Sequence, residues 1–222
     1  MSDIPDTETI RATAERLRPF VHRTPLFSSR YLGERVGGDV WLKCENFQKT
    51  GSFKARGALN RVLSLTGEEK SRGLITFSAG NHAAAVAWAG RSAGCPVTVV
   101  MPAAAPQTKV DAVRGYGAEV ILEQDRARMF PLMNEIRESR NLTFIPPFDH
   151  LKVVEGAATV MLEVLEDLPE PDIVVVPVAG AGLLSGTIAT IAALRPSTRV
   201  IGVEIEGWPG LAAAIEAGKP GQ

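Results

Sequence analysis

The 222-residue chain is 45% apolar and 22% charged, with a formal net charge of -1. That composition describes an ordinary globular protein and leaves no basic footprint for nucleic acid or for a membrane surface. No apolar run is long enough to span a bilayer, and the acidic start Met1 to Asp6 lacks the apolar core of a secretory signal, so the expected location is the cytoplasm.

Asp6 or Thr7 can cap a first helix with Ile10, Ala14 and Leu17 on one face, which stops at Arg18-Pro19. Arg23-Thr24-Pro25-Leu26 reads as extended chain, because the residue before proline avoids the helical region. Gly37-Gly38 turns into a strand over 39–45 with Val40, Leu42 and Cys44 facing one way. A helix from about Phe53 to Leu65 follows, with Ala55, Ala58, Leu59 and Val62 at helical spacing. From there the chain alternates. Strands are expected at 73–77, 96–101, 118–122, 142–145, 172–178 and 199–204. Helices are expected after Ser78-Ala79-Gly80-Asn81-His82 to about Ala93, then at 106–116, 126–140 (Phe130, Met133 and Ile136 inward), 152–168, 183–194 and 209–217. The strand at 172–178 is apolar throughout and reads as buried on both faces.

This alternation predicts an α/β fold with three layers, helices covering both faces of open, mostly parallel sheets. The two weakest points of the chain, near Ser71-Arg72 and Pro146 to His150, divide it into a larger discontinuous domain (residues 1–70 and 150–222) and a smaller inserted α/β domain (71–149). Cys44 and Cys95, in or beside predicted strands and without metal-ligand spacing, read as buried reduced thiols.

Three strand-to-helix junctions carry unusual chemistry, and ligands of open parallel sheets sit at such junctions. At the first, Thr50-Gly51-Ser52 precedes Lys54 just inside a helix start, where free N–H groups and the positive end of the dipole disfavour a protonated amine. Lys54 is thus a candidate amine nucleophile, although on the stretch alone a solvated lysine on an exposed face is the favoured reading. The second junction, Ser78 to His82, exposes backbone N–H groups suited to a carboxylate or phosphate, although an ordinary cap with a surface histidine at His82 explains it too. The third, Ala179-Gly180-Ala181-Gly182, would let a phosphate approach the backbone, as would any tight helix-sheet contact. Amine, anion turn and phosphate cradle together fit a phosphorylated carbonyl cofactor held on lysine, and pyridoxal 5'-phosphate is the one in common use.

The chain resembles the serine/threonine dehydratase and serine racemase family, the fold-type II pyridoxal phosphate enzymes related to the tryptophan synthase β subunit. The resemblance rests on Gln48-Lys49-Thr50-Gly51-Ser52-Phe53-Lys54-Ala55-Arg56-Gly57-Ala58 and Ser78-Ala79-Gly80-Asn81-His82. Arg23-Thr24-Pro25-Leu26, Tyr116-Gly117-Ala118-Glu119-Val120 and Gly202-Val203-Glu204 support it. It implies that Lys54 forms the Schiff base and moves the Cα proton, with Phe53 packed near the cofactor. Asn81 would bond the phenolic oxygen, Ser78, Ala79, Gly80, Asn81 and His82 would hold the substrate carboxylate, and Ala179, Gly180, Ala181, Gly182 and Leu183 would hold the phosphate. A homodimer is the implied assembly.

The chain departs from the family at four places. Ala179 and Ala181 replace glycines of the phosphate loop, and an alanine serves there only while its φ stays negative. Ala79 stands where racemases tend to have the serine that works on the second face, which favours elimination over inversion. Glu204 lacks the downstream aspartates of a cation site, so no metal is assigned. The chain stops at Gln222, before the part that supplies a partner to the pyridine nitrogen; the C-terminal part is expected to be missing, whether as a fragment or as a short form. The expected activity is deamination of L-threonine, L-serine or a similar β-hydroxy amino acid to a 2-keto acid and ammonia. A racemase, or a family member without catalysis, are the alternatives.

Overall fold

The computed structural model describes residues 4–207 and 209–219. Helix α1 (Thr7–Leu17) starts where the Asp6 carboxylate accepts the Thr9 N–H, and it buries Ile10 and Leu17. A small antiparallel pair follows, β1 (Leu26–Ser28) and β2 (Trp41–Lys43), with α2 (Arg30–Val36) between them. The expected strand at 39–45 is therefore only three residues long. Cys44 already leads into a single 3-10 turn, Glu45–Phe47, and Leu42 is exposed rather than inward. A second 3-10 turn, Lys49–Gly51, enters α3 (Lys54–Leu63), which is followed by α4 (Gly67–Ser71). The cysteines are free, Cys95 buried and Cys44 only partly so.

Next come β3 (Leu74–Phe77), α5 (Asn81–Ala93), β4 (Val97–Pro102), α6 (Gln107–Gly115), β5 (Glu119–Glu123), α7 (Met129–Arg140) and β6 (Thr143–Phe144). The four strands form one parallel sheet in the order β5-β4-β3-β6. Alternation sends Leu74, Val97, Val99 and Met101 to the face covered by α5 and α6, and Ile75 and Val100 to the face covered by α7. This three-layer arrangement agrees with the α/β expectation. In α7 Met129 and Met133 are buried against the sheet and Ile136 packs beside them, as expected of Met133 and Ile136, while Phe130 is half exposed and meets the Phe77 ring edge-on. The 3-10 turn Arg126–Arg128 sets the helix phase, so that residues four apart from Met129 face the sheet.

The chain then runs through α8 (Leu151–Asp167), β7 (Ile173–Pro177), α9 (Gly182–Leu194), β8 (Arg199–Val203) and α10 (Gly210–Ala217). Strands β7 and β8 are a parallel pair. Val174, Val176 and Val200 pack on α8 and α9, whereas Ile173, Val175 and Val203 are exposed. Strand β7 is thus covered on one face and not on two. Among the described residues no layer lies on the other face, and hydropathy alone could not tell which side would be covered.

Helix α8 is the axis of this half of the molecule. A Cβ on Gly156 would lie 2.6 Å from the Arg56 carbonyl and from Gly57 Cα, and one on Gly186 would lie 2.6 Å from the Ala158 nitrogen. Helices α3 and α9 therefore meet α8 backbone to backbone. The α3 contact is tied by a fully buried guanidinium. Arg56 donates to both oxygens of Glu45 (2.9 and 2.8 Å) and both of Glu163 (2.6 and 2.9 Å), to Thr159 Oγ1 and to the His22 carbonyl. Lys43 Nζ closes the network on Glu163 at 2.6 Å. Removing one partner of a buried ion pair leaves the others charged and desolvated, which costs about 3–5 kcal/mol. Arg56→Met is accordingly expected to lower the unfolding free energy in urea by that order, and a loss below about 1 kcal/mol would show that solvent already screens the network.

Candidate active site

Lys54 opens α3. The chain reaches it through Thr50 (φ 62°) and Gly51 (φ 75°), two consecutive residues in the left-handed region, which is strained for a β-branched threonine. The first turn of α3 has no side-chain cap, and the buried hydroxyls Thr50 Oγ1 and Ser52 Oγ have no protein partner. Lys54 Nζ donates to the Pro147 carbonyl at 2.6 Å and stands 5.3 Å from the Phe53 ring centroid and 6.0 Å from that of Phe148. Burial lowers the Lys54 pKa from 10.5 to about 8. The amine is the unusual one that the helix start suggested, but desolvation is the cause.

At the second junction, between β3 and α5, Ser78 Oγ accepts the Gly80 N–H at 3.1 Å and shapes the turn. Ala79 and Asn81 are exposed. His82 is not a surface histidine: it is 4% exposed, and its ring nitrogen lies 3.1 Å from the Ile145 carbonyl. Burial lowers its pKa to about 4, the Lys54 charge adding to the effect, so the ring is neutral at pH 7.

At the third junction, between β7 and α9, Ala181 takes φ 59° and ends the turn without a side-chain cap on α9. The condition set for an alanine in this loop, a negative φ, is therefore not met at Ala181, and the left-handed conformation costs about 1–2 kcal/mol relative to glycine. The first helical bond here is from the Ser185 N–H to the Ala181 carbonyl at 2.8 Å, so the N–H groups of Gly182, Leu183 and Leu184 have no partner within the helix. They want an outside acceptor, and an anion is the natural one.

The junctions meet. A cavity of about 10 Å³, the size of one water, is lined by Phe53 and Lys54 from the first, His82 from the second and Gly182 from the third, with Pro147 across from them. A family model described as "Pyridoxal-phosphate dependent enzyme" matches residues 17–222. The chain belongs to the pyridoxal-phosphate dependent enzyme family. It is 44% identical over 215 residues to an L-threonine ammonia-lyase of Thermotoga maritima, covering 96% of this chain and 53% of that one. To the catabolic L-threonine dehydratase TdcB of Escherichia coli K12 it is 43% identical over 206 residues, covering 92% and 63%. The structure of maize serine racemase superposes with a TM-score of 0.93 at 38% identity, covering 98% of this chain and 66% of that one. The chain thus spans between half and two thirds of the length of these relatives.

The donor set suits the family's cofactor. A desolvated amine that loses its proton near pH 8 can condense with an aldehyde, and the uncapped N-terminus of α9 can take a phosphate. Sequence reasoning missed three participants. Arg56 has no apolar periodicity to mark it as buried. Phe148 lies in an irregular stretch. Lys109, on α6, brings its Nζ to 3.7 Å from where a Gly80 Cβ would stand, close over the Ser78–Asn81 turn; its signal was only an unassigned lysine three residues into a predicted helix. Glu204, where no metal was assigned, accepts the Leu211 and Ala212 N–H groups and caps α10.

Because the neutral amine predominates only above its pKa, labelling of Lys54 by a small acylating reagent should rise with pH through a midpoint near 8. Peptide mass spectrometry across a pH series reads this directly. A midpoint above about 10, the ordinary lysine value, would contradict the burial account.

Proposed function

We propose that the chain is the Lys54-bearing part of a pyridoxal phosphate-dependent ammonia-lyase for L-threonine, L-serine or a similar β-hydroxy amino acid. The observation that carries this reading is the meeting of a proton-shedding Lys54 amine with the uncapped start of α9 around one cavity. The threonine ammonia-lyase and dehydratase names of its relatives support the same choice.

In this reading Lys54 would hold the cofactor's aldehyde end, Asn81 would hydrogen-bond its ring, and the N–H groups from Gly180 to Leu183 would hold its phosphate. Pyridoxal phosphate, when bound, supplies an electron sink for negative charge at the substrate Cα. The Ser78–His82 turn orients the substrate carboxylate, and the Lys109 ammonium above Gly80 adds a positive charge on that side. The free Lys54 amine would be a base of suitable pKa to take the Cα proton. Cα proton and β-hydroxyl leave as water, water returns on hydrolysis, and the net products are a 2-keto acid and ammonia. Residues 71–149, which hold the four-stranded sheet and the substrate turn, act as a smaller unit that shuts out solvent over the substrate.

A serine racemase is the second reading, favoured by the likeness to the maize enzyme. Inversion needs a second acid–base group on the opposite face. The methyl of Ala79 offers none, and the His82 ring is engaged with the Ile145 carbonyl.

The test is conversion of L-serine and L-threonine by protein loaded with pyridoxal phosphate. Keto acid formation is expected to exceed D-serine formation by chiral chromatography, and Lys54→Ala is expected to lower it by about 10³-fold. Full keto acid production by the Lys54 variant would end the mechanism, and D-serine outpacing pyruvate would install the racemase reading.

A further inference from the structure

We propose that Phe148 is the positioning residue of the glycine loop, and that its ring is the reason position 180 must be glycine. The proposal rests on the reading of that loop as the phosphate holder. The loop alternates Ala179-Gly180-Ala181-Gly182, and the structure gives the alternation a cause. A Cβ on Gly180 would lie 2.1, 2.4 and 2.5 Å from Cδ1, Cγ and Cε1 of Phe148, inside the ring's van der Waals surface. A Cβ on Gly182 would lie 3.2 Å from Phe148 Cβ and 3.4 Å from its Cα. Of the other two positions, Ala181 packs with Val176, Val178 and Leu184, and Ala179 is exposed. The glycines that stay are those that face Phe148, Gly180 its ring and Gly182 its Cβ and backbone.

Phe148 is itself held from the opposite side. The preceding stretch is pinned to three elements, with the Ile145 carbonyl accepting from Thr76 Oγ1 at 2.9 Å and facing His82 at 3.1 Å, and the Pro147 carbonyl accepting from Lys54 Nζ at 2.6 Å. The His150 N–H donates to the Phe148 carbonyl at 3.0 Å. One side chain therefore links the Lys54 amine to the loop. The ring stands against Gly180 with its centroid 6.0 Å from Lys54 Nζ, so it sets the local path of the loop within the frame that α8 provides. Shortening the side chain releases the loop while leaving Lys54 in place, so the loss falls on recognition of the phosphate and not of the aldehyde.

Equilibrium dialysis against pyridoxal phosphate and against pyridoxal, which lacks the phosphate, separates the two. Phe148→Ala should raise the Kd for pyridoxal phosphate about tenfold and that for pyridoxal less than about twofold, with Phe148→Leu between wild type and Phe148→Ala. Gly180→Ala should lose a similar factor, because its methyl meets the ring, and adding Phe148→Ala to it should restore part of that loss. The proposal is overturned if Phe148→Ala leaves the affinity for pyridoxal phosphate unchanged or tightens it. It is also overturned if both ligands weaken equally in Phe148→Ala and Phe148→Leu, or if the double variant binds no better than Gly180→Ala. A wild-type protein that binds pyridoxal phosphate no better than pyridoxal would remove the phosphate reading itself, and this proposal with it.

Discussion

The approach of α8 to its two neighbours is the constraint on which the site depends. Helices normally pack 8–10 Å apart because side chains stand between them. At Gly57, Gly156 and Gly186 nothing does, and the backbones touch. Helix α3 begins with Lys54 and helix α9 with the glycine loop, so fixing both against one rigid helix fixes the amine relative to the loop. Arg56, two residues after Lys54, holds the α3 side of that contact with a buried guanidinium shared between Glu45 and Glu163. A buried ion network of this kind is poor value as pure stability, since apolar residues could fill the same space. Here it sets the position of the lysine.

With that frame in place, the site keeps polar groups unsatisfied. Helices α3, α5 and α9 all begin without a side-chain cap, and two hydroxyls before Lys54 lack partners. Thr50 and Ala181 hold left-handed backbone at the two junctions that flank the cavity. Each departure costs of order 1–3 kcal/mol and persists only where the surroundings over-determine it. The well-packed sheet β5-β4-β3-β6 and the cores beneath α5 and α8 provide that support. The same burial that rigidifies the region removes water from the Lys54 amine and the His82 ring, which lowers the Lys54 pKa to about 8 and leaves the His82 ring neutral at pH 7.

How much of this was legible in the sequence follows from what periodicity can carry. Strands and helices from residue 74 onward were readable, because apolar alternation and helical spacing report directly on a packed face. Helix α2 buries none of its residues, so it has no stripe to read. Helix α4 was readable after all: Thr66 and Glu69 form a capping box, a local signal that periodicity does not include. One-sided cover of β7 was not legible, since an apolar run does not say which of its faces has a partner. At the site, Lys54, Asn81 and the Gly180 loop stood out through unusual residue types at junctions. Arg56 and Phe148 did not, and His82 was named but read as a surface residue, because burial of a charge, the seat of a ring on a glycine and burial of an imidazole are properties of three-dimensional neighbours.

The central claim is that this fold makes Lys54 the one amine prepared to hold the cofactor. Incubating the protein with pyridoxal 5'-phosphate at pH 8, reducing with borohydride and mapping peptides by mass spectrometry tests it in one step. The account predicts a single reduced adduct on the peptide that contains Lys54, formed at near-stoichiometric yield. Adducts spread over surface lysines, with Lys54 unmodified, would contradict it.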